Sequence, residues 1–200
     1  MSETVLERVD CLKRLRALLD DIDGSRVTLI GDTMLDRYHH GFANNLNSTA
    51  PVPVMKVIRS EESPGASAHI ALGLNSLGMQ VIFHTCVGGD QEGATVLEML
   101  SDRGISREHI AVVDEMKTLT KIRFYGSRES LLEKSQILLQ ADRGPLEPLP
   151  VEISEVLTIS AFDSLENSCA LVISDYDKGA ISQTGAAMLI HEARNLGIPV

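Results

Sequence analysis

The feature that most constrains this chain is a recurrence. Short runs of consecutive apolar residues are each trailed by a glycine-containing or polar cluster and then by helical spacing. RVTLIG (26–31), VIFHTCV (81–87), IAVV (110–113) and ALVIS (170–174) are such runs. A strand apolar at nearly every position is covered on both faces, and strands alternating with helices build a parallel sheet. Residues 4–21 put Val5, Val9, Leu12, Leu15, Leu18 and Leu19 on one face, which predicts a surface helix packed on the rest. From Gly65 to Leu77 the spacing is helical again, with Gly78 as its stop. Asp90 is placed to N-cap a helix through Leu100, and helices are predicted over 151–164 and 181–196. The final residues, Ile198-Pro199-Val200, read as a strand beginning, with an exposed sheet edge expected at Val200.

Two regions break the alternation. Residues 38–62, with VPVMKVI inside them, predict two short strands. Residues 118–126 and 135–141 predict two more, separated by the charged SRESLLEK segment. These pairs are expected to form a small separate sheet. The fold class is therefore α/β: a doubly wound, mainly parallel sheet flanked by helices, with a small β sheet beside it.

Acidic residues outnumber basic ones 28 to 18, a formal net charge of −10 that disfavours a nucleic-acid partner. A small anionic ligand held by a few local cations remains compatible. At 200 residues and 44 % hydrophobic, the chain can bury an ample core. Cys11, Cys86 and Cys169 form no CxxC, which argues against a disulfide framework or zinc knuckle. Cys86 and Cys169 sit in apolar runs and read as buried thiols. The six histidines show no HxxxH or HExxH spacing, so no metal site is expected. No basic-then-apolar leader opens the chain, and no apolar run reaches the ~18 residues of a membrane span. A cytoplasmic protein without membrane contact is the expectation.

In open α/β sheets ligands gather at the carboxyl ends of strands. Three polar clusters fall there: GDTMLDRY (31–38), PGASAH (64–69) and SDYDKG (174–179). Taken singly, each also has a plain reading, as a turn cap, as close packing or as a solvated ion pair. No P-loop, GxGxxG or GxSxG motif is present.

Together these clusters resemble the ribokinase-like (PfkB) carbohydrate kinases, and most of all the branch that phosphorylates heptose 7-phosphate on the route to ADP-heptose. The matching stretches are VTLIGDTMLDRY (27–38), APVPVMKV (50–57), PGASAHIALGLNSLG (64–78), VGGDQEGATVLEMLSDRGI (87–105), TLTKIRF (118–124), QADRG (140–144) and LVISDYDKGAIS (171–182). They run in family order across nearly the whole chain, so residues 1–200 are expected to be the N-terminal part of such a kinase domain. The resemblance implies that the strand pairs, about 38–62 and 118–142, are the lid over the acceptor and often a homodimer interface. It matches Asp36 to the acceptor-binding aspartate, Gly65 and Ala66 to a two-glycine hinge, and His69 to a sugar-contacting asparagine. Lys121 and Arg123 lie where a cation meets an acceptor phosphate, and Asp175 and Lys178 lie beside the pocket.

Several positions depart from the family. Alanine stands at the second hinge position, and histidine at 69. Asn45 and Thr49 stand where an arginine and a glutamate are usual, and Gln140 replaces an arginine. The family's GAGD segment, source of the catalytic base and much of the ATP site, has no counterpart in these residues. The reading that results is an ATP- and Mg²⁺-dependent kinase for a sugar phosphate. The base and nucleotide loop are expected beyond Val200, with no turnover by these 200 residues alone. Two alternatives stay open: a catalytically inactive binding or dimerisation module, and a kinase for a fructose-like sugar or a nucleoside.

Overall fold

Arg26–Gly31 forms β1, the first of four parallel strands whose order shows why the apolar runs are unbroken. The computed structural model describes residues 3–127, 135–145 and 149–200. β1 lies between β4 (Gln80–Gly88) and β8 (Ala170–Ser174), and β5 (Ile110–Val113) extends the far side of β4, giving the order β5-β4-β1-β8. Along β1, Val27 and Leu29 point to one face, among Ala68, Phe83, Val96 and Leu100. Ile30 points to the other, among Cys86, Leu157, Ala161 and Leu189. Helices α2 (Ser67–Ser76) and α3 (Gln91–Ser101) cover the first face; α4 (Val151–Ser164) and α5 (Gln183–Asn195) cover the second. Each face needs its own apolar set, so neither alternate register of the strand is left polar.

The other strands form a second sheet of order β3-β2-β6-β7. It comprises β2 (Thr33–Leu46), β3 (Pro53–Ala66), β6 (Thr120–Ser127) and β7 (Gln136–Arg143). β2 pairs antiparallel with β3 and parallel with β6, and β6 pairs antiparallel with β7. β2 and β3 are fourteen residues each, far longer than the short strands predicted, and Gly65 and Ala66 belong to β3 and not to the helix after it. Away from the core this sheet is exposed and mixes polar residues with exposed Leu46, Val54, Val57, Ile137 and Leu139, so neither face is held to an apolar pattern. Hydrophobic alternation therefore fades along His39–Asn45 while the ladder of backbone hydrogen bonds continues. The second sheet is tied to the core by ions as well as by chain. Glu92 of α3 meets Arg143 at 2.8 Å and Arg37 at 3.7 Å, and Arg37 meets Glu62 at 2.5 Å.

Three expectations need correction. The N-terminal helix, α1 (Glu3–Ile22), forms but does not lay its apolar face on the rest; Leu12 and Leu18 are 64 % and 62 % exposed. Helix-favouring residues and i,i+4 pairs such as Arg14–Asp10 support it, while its end, at Ile22, packs against the core. Cys169 is exposed, because it precedes β8 and only its N–H is engaged, donating to the Arg26 carbonyl. Residues 198–200 hold no strand, although the Pro199 carbonyl accepts from Leu171 N–H at 2.9 Å. Val200 is exposed. Most of the SRESLLEK segment lies outside the described residues.

Candidate functional site

β2 leaves the strand-end edge of the central sheet directly after Asp32, so its first residues stand where ligands gather in α/β sheets. The period of two puts Asp36, Tyr38 and His40 on one face of the second sheet. The parallel register sets Lys121 opposite Asp36 and Arg123 opposite Tyr38, and β7 adds Asp142 and Gln140 to the same rows. Arg123 Nη1 donates to Asp36 Oδ1 at 2.6 Å and to the Tyr38 hydroxyl at 3.4 Å, with its guanidinium 5.5 Å from the Tyr38 ring centre. Its Nε donates to Gln140 Oε1 at 3.2 Å. Gln140 Nε2 donates to Asp142 at 2.8 Å, and Lys121 Nζ reaches Asp142 at 3.0 Å. Burial works against the Arg123 charge, but the Asp36 contact more than offsets it, so its pKa is raised. Hydrogen bonding from Lys121 holds the Asp142 carboxyl below its ordinary value.

Gly65 runs so close to Asp36 that a β-carbon there would strike its carboxylate. Ala66 takes φ 52°, ψ −128°, a positive-φ region that favours glycine. The turn is secured at Ser67, whose N–H and hydroxyl both donate to the Asp32 carbonyl, at 3.0 and 2.6 Å. His69 is not brought to Asp36 and Arg123: it is exposed and lines a groove of about 490 Å³ with Glu62, Met99 and Arg103. Asp175 is exposed and accepts from the Asp177 N–H at 2.8 Å. Lys178 lines a cavity of about 30 Å³ at the ends of β1 and β4, with Asp32, Thr33, Cys86, Lys117 and Thr118.

Two carboxylates at the strand ends, Asp32 and Asp90, had no site role in the sequence expectations, although Asp90 was expected as a helix cap. Asp32 is buried and accepts three backbone N–H groups: Tyr176 at 2.7 Å, Lys178 at 3.1 Å and Ala180 at 2.9 Å. It thereby shapes the whole loop after β8. Its position beside Gly31 in the first strand-end cluster was the available signal. Asp90 caps α3 by accepting from Gly93 N–H at 3.0 Å, as predicted, and also accepts from the Thr118 hydroxyl at 2.6 Å and the Thr118 N–H at 3.1 Å. Burial raises its pKa, but the Thr118 and Gly93 hydrogen bonds outweigh that and leave it lowered. Burial, with the Asp32 charge second, pushes the Cys86 thiol up to about 12, so it stays protonated.

A parallel sheet with a four-stranded sheet beside it has parallels among known proteins. The pfkB family of carbohydrate kinases matches residues 25–164. This chain belongs to that family. It is 34 % identical over 178 residues to the bifunctional protein HldE of Stutzerimonas stutzeri (strain A1501), covering 89 % of this chain and 35 % of that protein. Against the bifunctional protein HldE of Coxiella burnetii (strain Dugway 5J108-111) the identity is 33 % over 179 residues, covering 88 % and 34 %. The chain thus spans about a third of the length of these relatives. A carbohydrate kinase from Agrobacterium tumefaciens shares the fold with TM-score 0.63 and 15 % identity, over 88 % of this chain and 52 % of that one. The fold is ribokinase-like.

Proposed function

We propose that these residues form the acceptor-binding part of an ATP-dependent kinase for a sugar phosphate of the D-glycero-D-manno-heptose 7-phosphate class. The observation that carries this is the Arg123–Asp36 contact, held against Gly65 where the second sheet meets the strand ends. A carboxylate there accepts hydrogen bonds from sugar hydroxyls, and the guanidinium offers fixed donors to the same sugar. The second sheet acts as the cover of the acceptor. Its exposed Leu46, Val54, Val57, Ile137 and Leu139 support a homodimer through these strands.

The reaction is in-line transfer of a γ-phosphoryl to a sugar hydroxyl, which needs positioned phosphates, a metal on the nucleotide and a base near the hydroxyl. ATP with Mg²⁺ supplies the transferred group and the countercharge. Among the described residues no group of three or more His, Cys, Asp or Glu converges as metal ligands do. No metal-holding role is therefore assigned to this part of the chain, and Asp36 is given acceptor binding alone.

A thermal-shift panel of sugars, sugar phosphates and nucleosides tests the reading. Stabilisation by the heptose phosphate above the free sugar supports it. Stabilisation by a nucleoside alone contradicts it and favours a nucleoside kinase.

A further inference from the structure

Lys121 and Arg123 are each already joined to a carboxylate, at 3.0 and 2.6 Å. Those two cations face Asp142 and Asp36, so the four groups carry no net charge together. A phosphate arriving there has to displace a carboxylate and then sit beside the freed negative charge.

Lys117 and Lys178 differ. Among the described residues neither forms an ion pair, and both line the small cavity at the ends of β1 and β4. They come from separate loops, one before β6 and one after β8, and both loops are clamped. Asp90 grips Thr118 through its hydroxyl and its N–H, beside Lys117. Asp32 grips the N–H of Lys178 itself. The other polar groups there are committed: the Thr33 hydroxyl is shared with Ser67 and Thr85, and the Thr118 hydroxyl donates to Asp90. Asp32 also lines the cavity, but its oxygens are taken by three N–H groups. Asp90 lies near enough to Lys117 to feel its charge, with its own oxygens occupied by Thr118 and Gly93. Cys86 adds a protonated thiol, a weak donor, so the cationic side chains of the lining with no ion-pair partner among the described residues are Lys117 and Lys178. About 30 Å³ admits one oxygen-sized group and no sugar ring, which suits a terminal oxyanion. The Leu35 N–H to Leu119 carbonyl bond, 2.8 Å, places this cavity next to the start of the Asp36 face.

We infer that Lys117 and Lys178 form the anion subsite that takes the acceptor's phosphate, with Asp32 and Asp90 as positioning residues for the two loops. The inference rests on the acceptor reading above for what the anion belongs to, and on the lysine pair alone for where it sits.

The test has two arms. In the first, the full chain is titrated with sodium phosphate and with sodium chloride at equal ionic strength while lysine side-chain NMR signals are followed. Phosphate-specific shifts at Lys117 and Lys178, exceeding those at Lys121, support the subsite; no such shifts, or the largest at Lys121, overturn it. In the second, binding of D-glycero-D-manno-heptose 7-phosphate is measured for wild type, K117M, K178M and K121M. Each of the first two substitutions weakens binding about tenfold or more, and K121M by less than ~threefold. Unchanged affinity in K117M and K178M overturns the subsite while the acceptor reading stands. Phosphate shifts at the two lysines with no binding of the sugar phosphate by wild type overturn the acceptor reading and support the subsite.

Discussion

Ala66 is a residue whose backbone and side chain disagree. At φ 52°, ψ −128° it holds a conformation that costs a non-glycine residue about 1–3 kcal/mol. Ala66→Gly is expected to raise stability by about 1 kcal/mol in urea unfolding, the relief exceeding the added freedom of the unfolded chain. Unchanged or lower stability would show that the turn tolerates alanine without strain. His84 presents a second mismatch. It is fully buried in β4, both ring nitrogens lack a hydrogen-bond partner, and its ring centre lies 4.7 Å from that of His109. Burial first, and the His109 charge second, lower its pKa from 6.5 to about 3. The folded state therefore keeps His84 neutral while the unfolded state takes a proton below about pH 6.5. Stability falls as pH drops from there towards 3, with a slope approaching ~1.4 kcal/mol per pH unit from this group. His84→Phe is expected to flatten that slope in unfolding curves taken between pH 7 and 4. An identical slope in the variant would assign the acid sensitivity elsewhere.

At the scale of elements, the Asp90–Thr118 clasp joins the start of α3 to the entry of β6 and so links the two sheets. Asp90→Ala removes the helix cap and both Thr118 contacts, with an expected loss of about 1–2 kcal/mol at pH 7. Because the folded pKa of Asp90 is lowered, its contribution is present above the unfolded value, near pH 4, and is lost as pH falls through the folded value. The difference between wild type and Asp90→Ala, read from chemical unfolding at neutral pH and near pH 2.5, should shrink at the acid end. A difference independent of pH would deny the carboxylate its role. Elements differ in how plainly they were written. β1, β4, β8 and α2 to α5 were legible because burial on two faces, or on one helical stripe, forces an apolar pattern, whereas β5 is an edge strand with Val112 exposed and was legible from its short apolar run alone. The length of β2 and β3 was not, since a backbone ladder leaves no such trace. α1 was legible as a helix but not in its packing: an apolar stripe specifies a face to be covered and does not name the cover.

For the whole molecule, chain order alone suggested a parallel sheet with a smaller sheet beside it, and the strand orders β5-β4-β1-β8 and β3-β2-β6-β7 agree. The candidate site was half legible. Asp36, Gly65 and Arg123 converge, because period two and register carry strand residues to one place. His69 faces another groove, and the loop-shaping role of Asp32 emerges only where residues 32 and 176–180 meet across 144 or more positions of sequence. The central claim is that Asp36 anchors a sugar-phosphate acceptor without help from nucleotide. Calorimetric titration of D-glycero-D-manno-heptose 7-phosphate into wild type and Asp36→Asn, with no ATP present, tests it most directly. The account predicts saturable binding by wild type, weakened about tenfold or more in Asp36→Asn; equal affinity in the two proteins, or no binding by either, would contradict it.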